Sequence, residues 1–373
     1  MTEVLQQTIR RVYPQPAEDL NINIDHWHQI KEQILAEVGE EAYQFISNHV
    51  NLGNPNIHIA STTTVFNINI NVQERSKALV NLMRVNDLRR INKFFEAINS
   101  KLDHLGVFIG CAETKNMRKQ RILAKFPPLV SRVAYFFDYL IKRVFPKFLL
   151  TKKLYFLLTR GQNRVLTRAE ILGRLYSCGF DVTEEKEING MLYFAAKKVK
   201  LPCYDLNPTY GPLIRLSRIG RNGQLIKVYK FRTMHPYAEY LQEYIYAKHK
   251  LQNGGKFSND FRVSTAGKFM RAFWIDELPM FINVFKGQMK LVGVRPLSNQ
   301  YYNLYPEDLQ KARVKVKPGL VPPYYADLPQ TLDEIIDSER RYLKRFDKHP
   351  LRTQWKYFWK AMFNIFLRRA RSC

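Results

Sequence analysis

The sequence predicts an α/β domain at the front of the chain, followed by a helix-rich α+β domain. The length of 373 residues suggests two or three domains at about 150 residues each. With 46% apolar and 25% charged residues, the composition is that of a globular protein. Three segments differ in character: a helical leader (1–50), alternating strand-like and helical patterns (51–200), and a motif-rich segment (201–373).

The charge balance is the first indication of function. Lys and Arg together number 59, Asp and Glu 33, and the formal net charge is +26. Such an excess indicates polyanionic partners: nucleic acid, an anionic membrane surface or phosphorylated substrates. Because aromatic residues reach 13%, a membrane surface fits at least as well as nucleic acid.

The cysteines lie far apart and form no C-x-x-C pair: Cys111, Cys178, Cys203 and Cys373. Their spacing argues against a zinc site and a disulfide framework. No secretory signal is recognisable in MTEVLQQTIRR, and no run of about 18 apolar residues predicts a spanning helix. We therefore expect the protein to be located in the cytosol or on the cytoplasmic side of a membrane.

The leader has a candidate helix N-cap at Asp25. Apolar residues then recur at helical spacing: Ile30, Ile34, Leu35 and Val38. Since no chemistry is visible here, we expect a packing or oligomerisation helix.

Residues 51–200 read as an α/β domain. Apolar runs predict strands at Ile57–Ala60, Val65–Ile70, Ala78–Met83 and Gly106–Gly110. A helix is predicted from Asp87 through Ile98, and the capping box Thr167-Arg-Ala-Glu170 begins another that Gly179 ends. A terminal hairpin around Asn189-Gly190 joins Phe180–Glu185 to Met191–Lys197.

This order resembles the second half of a class I SAM-dependent methyltransferase, in ALVNLMRVNDLRRINKFFEAINSKLDHLGVFIG and TRAEILGRLYSCGFDVTEEKEINGMLYFAAKKVK. The resemblance implies a truncated, Rossmann-type sheet. That family holds its cofactor with a glycine-rich turn, whereas the residues before Ala78 contain no G-x-G. We therefore expect a degenerate methyltransferase-like domain without that cofactor, and retained methyl transfer is the alternative.

The stretch 127–160 mixes long apolar side chains with cations. Such a segment is typical of helices that lie in the interface plane of an anionic bilayer. The membrane contacts predicted here are Phe136, Phe137, Lys142 and Arg143. The alternative is a pair of core helices with solvated lysines.

The tail Arg352–Arg371 (RTQWKYFWKAMFNIFLRRAR) has the same mixture. It offers further candidate membrane contacts: Trp355, Phe358, Trp359, Arg368 and Arg369. The alternative is a core-packing helix with a basic C-terminal end that its dipole favours.

An adjacent acidic pair, Asp276-Glu277, stands among arginines. Neighbouring side chains on a helix diverge by about 100°, so we expect different jobs for the two carboxylates. Pro279 suits the first turn of a helix through Val284, which places the pair where the helix dipole favours anions.

A carboxylate in that position is a competent nucleophile toward phosphorus, and a second one can hold Mg²⁺ together with substrate phosphates. Arg232, Arg271 and Arg295 offer planar guanidinium groups that suit phosphate oxygens. The alternative is a helix-capping Asp with weak surface salt bridges.

Four ordered motifs resemble those of the bacterial sugar transferases, the monotopic polyprenyl-phosphate glycosyl-1-phosphate transferases: KVYKFRTM, GKFMRAFWIDELP, INVFKGQMKLVGVRPL and KPGL. The match covers about residues 208–320. The resemblance implies transfer of a sugar 1-phosphate from a UDP-sugar to undecaprenyl phosphate with release of UMP. Such enzymes initiate capsule, exopolysaccharide or O-antigen synthesis at the cytoplasmic face of the bacterial inner membrane.

The same resemblance implies roles for individual residues. Asp276 becomes the catalytic nucleophile that forms a covalent phosphosugar intermediate, and Glu277 acts beside it with Mg²⁺. Phosphate or substrate contacts are implied for Lys230, Arg232, Arg271 and Arg295.

Departures from the family pattern concern the membrane. The family usually carries an inserted helical hairpin before the glycine-basic turn, but Leu201–Arg218 is too short and polar for one. We expect a peripheral or monotopic dock rebuilt from residues 127–160 and the tail. A catalytically inert membrane-associated scaffold is the alternative function, and nucleic acid is not an expected partner.

Overall fold

The computed structural model describes residues 31–72, 75–204, 210–242, 244–245 and 260–367. The chain divides into two compact units, Met1–Leu206 and Asn207–Cys373. Some residues singled out in the sequence lie outside the described residues: Asp25, Ile30, Arg368 and Arg369.

The first unit is an α/β structure with a mixed sheet. Its strands are β1 (Ile57–Ala60), β2 (Ser76–Arg84), β3 (Leu102–Ala112), β4 (Phe180–Ile188) and β5 (Met191–Lys198). Their spatial order is β1-β2-β3-β5-β4. The first three run parallel, and β5 lies antiparallel to both of its neighbours.

Seven helices of the described part are assigned to this unit. They are α1 (Glu40–His49), α2 (Val65–Asn71), α3 (Ile91–Lys101), α4 (Lys115–Lys125), α5 (Pro128–Tyr139), α6 (Leu149–Thr159) and α7 (Arg168–Ser177). Residues 31–38 are helical as well. The leader thus continues into the unit's core, where Ile34, Phe45 and Ile46 pack with the sheet residues Val80 and Ile109.

Strand predictions from continuous apolar runs are confirmed, because β1, β2, β3 and the β4–β5 hairpin all form where expected. The strand predicted at Val65–Ile70 is wrong, since these residues form α2. The hydroxyl of Thr64 accepts a hydrogen bond from the Asn67 N–H and caps the helix. Only Ile68 is buried in α2, so the alternating apolar pattern did not mark a sheet face.

Both ends of α7 follow the sequence signals. Thr167 accepts from the Glu170 N–H at its start. At its end Gly179 adopts φ +84°, and a Cβ there would lie 2.1 Å from the Lys200 carbonyl oxygen. The predicted helix at Asp87 begins later, at Ile91, after a 3₁₀ turn over Val85–Asp87.

Residues 127–160 are not a pair of core helices. α5 and α6 are joined by a π-helical turn (Leu140–Val144) and a 3₁₀ turn (Phe145–Lys147). Most of their large apolar side chains are exposed, including Phe136 and Phe137. These two positions remain predicted membrane contacts, as does the half-buried Lys142.

The prediction that Arg143 contacts a membrane is wrong. Its side chain is buried and pairs with the carboxylate of Glu170, which also accepts from Arg174 at 3.0 Å. Burial alone would raise the pKa of Glu170, but the two guanidinium groups outweigh it and hold that pKa below its usual range. Arg143 therefore anchors the turn between α5 and α6 to α7.

The second unit contains two small sheets among helices. β6 (Leu213–Ile219) and β7 (Leu225–Phe231) form an antiparallel hairpin, and β8 (Lys290–Val292) lies parallel to β9 (Gly319–Val321). Its assigned helices are α8 (Thr265–Ala272), α9 (Phe281–Phe285), α10 (Asn299–Tyr302), α11 (Glu307–Val314), α12 (Tyr324–Asp327), α13 (Leu332–Lys348) and α14 (Pro350–Phe366).

One core joins the small sheets to the last helices. Val292, Leu320, Tyr325, Tyr342 and Tyr357 are buried together in it. The hydroxyl of Tyr342 donates to the Val292 carbonyl at 3.0 Å, which ties this aromatic side chain to β8. Within the part of the chain that the structure describes, no helix combines the length and apolar character needed to cross a bilayer.

We expect Arg143→Ala to lower the free energy of unfolding of the first unit by about 3 kcal/mol, because it removes one partner of a buried ion pair. Urea unfolding followed by circular dichroism measures the change. The exposed Arg132 supplies the control, since Arg132→Ala should cost less than about 0.5 kcal/mol. Equal effects of the two changes would contradict the anchoring role.

Candidate active site

The acidic pair lies in a tight turn that begins after Trp274, which has a left-handed backbone at φ 60°. Asp276 and Glu277 stand in the first turn of a 3₁₀ segment, Ile275–Met280, and are only 7% and 3% exposed. Successive residues of such a segment point about 120° apart. The two carboxylates therefore face different neighbours, as the sequence predicted.

The predicted α-helix start at this position needs correction. Pro279 lies inside the 3₁₀ segment, and the α-helical residues begin only at Phe281. Proline has no N–H with which to close a further helical turn, so the segment around the pair stays a short 3₁₀ element. α9, which follows, has five residues.

A buried ion pair connects the turn to the hairpin. The Lys230 ammonium at the end of β7 donates to Glu277 Oε1 at 2.7 Å. The Lys230 side chain is partly exposed and that of Glu277 is buried. The ion pair with Lys230 thus fixes the Glu277 side chain, and Asp276 has a different role.

The environment of Asp276 makes its carboxylate more basic. Burial and, second, the neighbouring charge of Glu277 raise the pKa of Asp276 above its usual value, while Lys230 and Arg271 act in the opposite direction. A desolvated carboxylate of raised pKa is a better nucleophile than a solvated one. The nearby cations Lys230 and Arg271 favour its ionised form.

Arg271 reaches the site from α8. Its Nε and Nη2 both donate to the Thr233 hydroxyl, at 3.0 and 2.9 Å. The helix can approach this closely because Gly267 has no side chain; a Cβ there would lie 2.0 Å from the Thr233 carbonyl oxygen. Arg232 donates from Nε to the Gly211 carbonyl at 3.1 Å, at the open end of the hairpin.

A small cavity of about 40 Å³ lies beside Glu277. Its lining residues are Arg218, Val228, Lys230, Glu277, Met280, Arg295, Pro296, Leu320, Pro322 and Tyr324. Three of these side chains are cationic and one is anionic. The cavity therefore carries an excess of positive charge, which suits an anion with several oxygens.

Two arginines share this cavity. Burial and, second, the like charge of Arg295 lower the pKa of Arg218. Tyr324 raises the pKa of Arg295 against the effect of burial, and Glu277 raises it further. The Arg295 guanidinium lies 5.6 Å from the centroid of the Tyr324 ring.

The structure thus brings Lys230, Glu277 and Arg295 to one cavity and places Asp276 within the electrostatic reach of Arg271. Sequence reasoning missed Arg218 and Tyr324. Arg218 stands in Arg-Ile-Gly220 before the basic turn, so its position beside a motif was the available signal. Tyr324 was not singled out in the sequence.

Asn283 holds α9, the helix that follows the acidic pair, against the β6–β7 hairpin. It is fully buried, accepts from the Tyr229 N–H at 3.0 Å and donates to the Lys227 carbonyl at 2.8 Å. These bonds attach α9 to β7 close to Lys230. The distance between Lys230 and Glu277 therefore depends on Asn283, which the sequence did not single out.

The residues fit a magnesium ion of a particular kind. Within the described residues, no group of three or more His, Cys, Asp or Glu side chains could hold a metal ion. Mg²⁺ often takes only one or two protein carboxylates and completes its shell with phosphate oxygens and water. Glu277 offers one such carboxylate, so the magnesium prediction is compatible with the site and stays a prediction.

The predicted membrane contacts of α14 divide into two groups. Trp355 and Trp359 are exposed and remain predicted contacts. Phe358 is half-buried and packs against the core of the second unit, so only part of its ring is available for a contact that stays a prediction. The helical period turns this side chain away from the face that carries the two tryptophans.

Comparison with known proteins concerns mainly the second unit. Residues 203–368 match a family model described as bacterial sugar transferase. The galactosyl transferase CpsE of Streptococcus agalactiae is 37% identical over 142 residues, which are 36% of this chain and 31% of that protein. A UDP-glucose:undecaprenyl-phosphate glucose-1-phosphate transferase of Klebsiella pneumoniae is 42% identical over 117 residues, 30% of this chain and 22% of that one.

An undecaprenyl-phosphate galactose phosphotransferase of Salmonella typhimurium is 37% identical over 108 residues, 28% of this chain and 22% of its own length. The chain therefore spans less than a third of these relatives. Among solved structures, an O-methyltransferase family protein from Burkholderia thailandensis shares 11% identity, with a TM-score of 0.23 over 37% of this chain and 34% of that one. A likeness of that size carries no argument.

We expect Asn283→Ala to lower the free energy of unfolding of the second unit by about 2 kcal/mol, because it removes a fully buried side chain whose amide bonds the Tyr229 N–H and the Lys227 carbonyl. Urea unfolding measures this. The exposed Asn303 provides the matched control, and Asn303→Ala should change stability by less than about 0.5 kcal/mol. If both variants unfold alike, Asn283 does not hold α9 to the hairpin.

Proposed function

Since residues 203–368 match the bacterial sugar transferase family, as the sequence motifs predicted, we propose that the protein transfers a sugar 1-phosphate from a UDP-sugar to undecaprenyl phosphate and releases UMP. The observation that supports this most is the buried Asp276–Glu277 pair beside a cavity with excess positive charge. The named relatives act on different sugars, so the proposal leaves the sugar open.

The proposed reaction has two displacements at one phosphorus. A carboxylate oxygen of Asp276 attacks the phosphorus that bears the sugar, the phosphoanhydride bond breaks, and UMP leaves with the bridging oxygen. This gives an aspartyl phosphosugar. An oxygen of undecaprenyl phosphate then attacks the same phosphorus, and the Asp276 carboxylate is released as the lipid diphosphate sugar forms.

The surroundings of the pair support these roles. Burial keeps water away from Asp276, which favours attack by a basic carboxylate and protects an acyl phosphate from hydrolysis. Lys230, Arg218 and Arg295 line the neighbouring cavity and neutralise charge on diphosphate oxygens. Arg271, fixed by two hydrogen bonds to Thr233, adds a cation on the side of Asp276.

Magnesium enters this proposal through Glu277. That carboxylate already holds Lys230 by one oxygen and would hold the ion together with substrate oxygens. When bound, the ion supplies positive charge to the diphosphate.

The lipid acceptor places the reaction at a membrane surface. We infer a peripheral location at the cytoplasmic face of the bacterial inner membrane, with an anionic membrane surface as a partner. For the first unit we infer a degenerate methyltransferase-like, Rossmann-type fold, supported by parallel strands that end in an antiparallel pair. It is a scaffold in this proposal and not a second enzyme.

With UDP-sugar and Mg²⁺ but no acceptor, the chain should release about one UMP per molecule and then stop, because the phosphosugar stays on Asp276. A screen across UDP-sugars, read by UMP release and by the mass of the peptide that contains residue 276, measures this. Asp276→Asn should lose the burst and reduce turnover by on the order of a thousandfold or more.

Asp337→Asn, on the exposed face of α13, serves as the control and should retain both the burst and turnover. A chain that is inert with every UDP-sugar, with undecaprenyl phosphate and Mg²⁺ present, would instead favour a membrane-associated scaffold. Full activity of Asp276→Asn would exclude the covalent route.

The rate should fall on the acid side as Asp276 becomes protonated, since only the ionised carboxylate attacks. Its pKa is raised in the folded protein, and Lys230 is one of the cations that oppose this. Lys230→Met should therefore move the acid limb of the burst rate to higher pH. The exposed Lys311 gives the comparison, because Lys311→Met should leave the limb in place; a downward or absent shift in Lys230→Met would contradict the assignment.

A further inference from the structure

The helices α5 and α6 of the first unit form a surface whose polarity is reversed from that of an ordinary protein surface. We propose that this surface, here called the outer face, lies in the plane of an anionic bilayer and docks the first unit on it. The outer face consists of Leu129, Val130, Val133, Phe136, Phe137, Ile141, Phe148, Leu150, Leu154, Leu157 and Leu158, which are between 40% and 93% exposed. The proposal needs no turnover and so goes beyond the proposed function.

Two polar side chains of the same segment, Ser131 and Arg143, point toward the protein, whereas several of its other cations are exposed. Ser131 and Arg143 are 1% and 5% exposed, and each is the only buried residue of its helical segment. Asp138 accepts from buried Arg118 at 2.7 Å. In a helix that packs in water, the hydrophobic effect places apolar residues inside and charges outside. The reverse arrangement indicates that the outside is not water.

The charges beside the outer face indicate which kind of apolar environment this surface contacts. Asp138 is the sole acidic residue of the segment 128–159, and its carboxylate forms an ion pair with Arg118. Arg132, Lys152 and Lys153 are exposed beside the outer face. Long cationic side chains next to apolar ones suit anionic lipid headgroups above acyl chains. A second copy of the chain would bring the same cations against these, which is unfavourable.

The geometry of the segment fits an interfacial position. α5 and α6 have 12 and 11 residues, which is too short to cross a hydrocarbon core of about 30 Å. The turn between them is fixed from the inside by Arg143 and by the hydroxyl of Thr151, which donates to the Phe145 carbonyl at 2.8 Å. The apolar side chains therefore protrude from a firmly held pair of helices.

Binding of the full chain to vesicles tests the proposal without donor or acceptor substrates. Vesicles of phosphatidylcholine with about one-third phosphatidylglycerol should sediment the protein, and pure phosphatidylcholine vesicles should do so more weakly. The triple variant Phe136→Glu, Leu150→Glu, Leu157→Glu should bind the anionic vesicles at least about tenfold more weakly, which corresponds to about 1.4 kcal/mol. Because UMP release is not measured, failure here is distinguishable from failure of the proposed function.

The matched control changes net charge equally at other exposed apolar positions of the first unit. Phe66, Ile70 and Leu201 are 69%, 64% and 72% exposed, and their triple replacement by Glu should weaken binding by less than about threefold. A second outer-face triple with Gln in place of Glu keeps the net charge and should still bind more weakly than the native chain.

Three results would overturn the proposal. The outer-face variants could bind anionic vesicles as the native chain does. The two Glu triples could weaken binding equally, which would make the effect one of net charge alone. Light scattering could show that the outer-face variants turn a dimer into a monomer with vesicle binding unchanged, which would make the outer face a contact between two copies.

Discussion

The ion pair between Lys230 and Glu277 is the contact on which the active-site arrangement depends. It joins the end of the β6–β7 hairpin to the 3₁₀ turn that carries both carboxylates. A buried charge pair of this kind adds little to stability by itself, but it is costly to leave half made. The pair therefore fixes the position of the turn, and with it the direction in which Asp276 points, more than it strengthens the fold.

Buried paired charges also position a turn in the first unit, where no catalytic residue is proposed. The buried cluster of Arg143, Arg174 and Glu170 holds the turn between two helices whose apolar residues face outward. Hydrophobic burial contributes less than usual to holding these helices, since most of their large apolar side chains are exposed. Paired charges and hydrogen bonds, which are directional, take over the task of positioning.

The sequence predicted what local pattern determines. Continuous apolar runs marked β2 and β3, and the Asn189-Gly190 turn marked the last hairpin. Contacts between residues that lie far apart in the chain could not be predicted from the sequence. Arg143 was predicted to contact a membrane because its actual partner, Glu170, lies 27 positions away, and Asn283 carried no signal because its partners in β7 precede it by 54 and 56 positions. Val65–Ile70 failed for another reason: its period of two was real, but the cap at Thr64 selected a helix.

The excess of positive charge around the cavity at Arg218, Lys230 and Arg295 has a consequence for the lifetime of the protein. Glu277 offsets part of this charge, the remaining like charges repel one another, and a bound polyanion relieves that repulsion. Any ligand that binds the folded state alone raises its stability with ligand concentration. Under the proposed function, binding of the UDP-sugar donor would in this way make the second unit more resistant to unfolding and proteolysis.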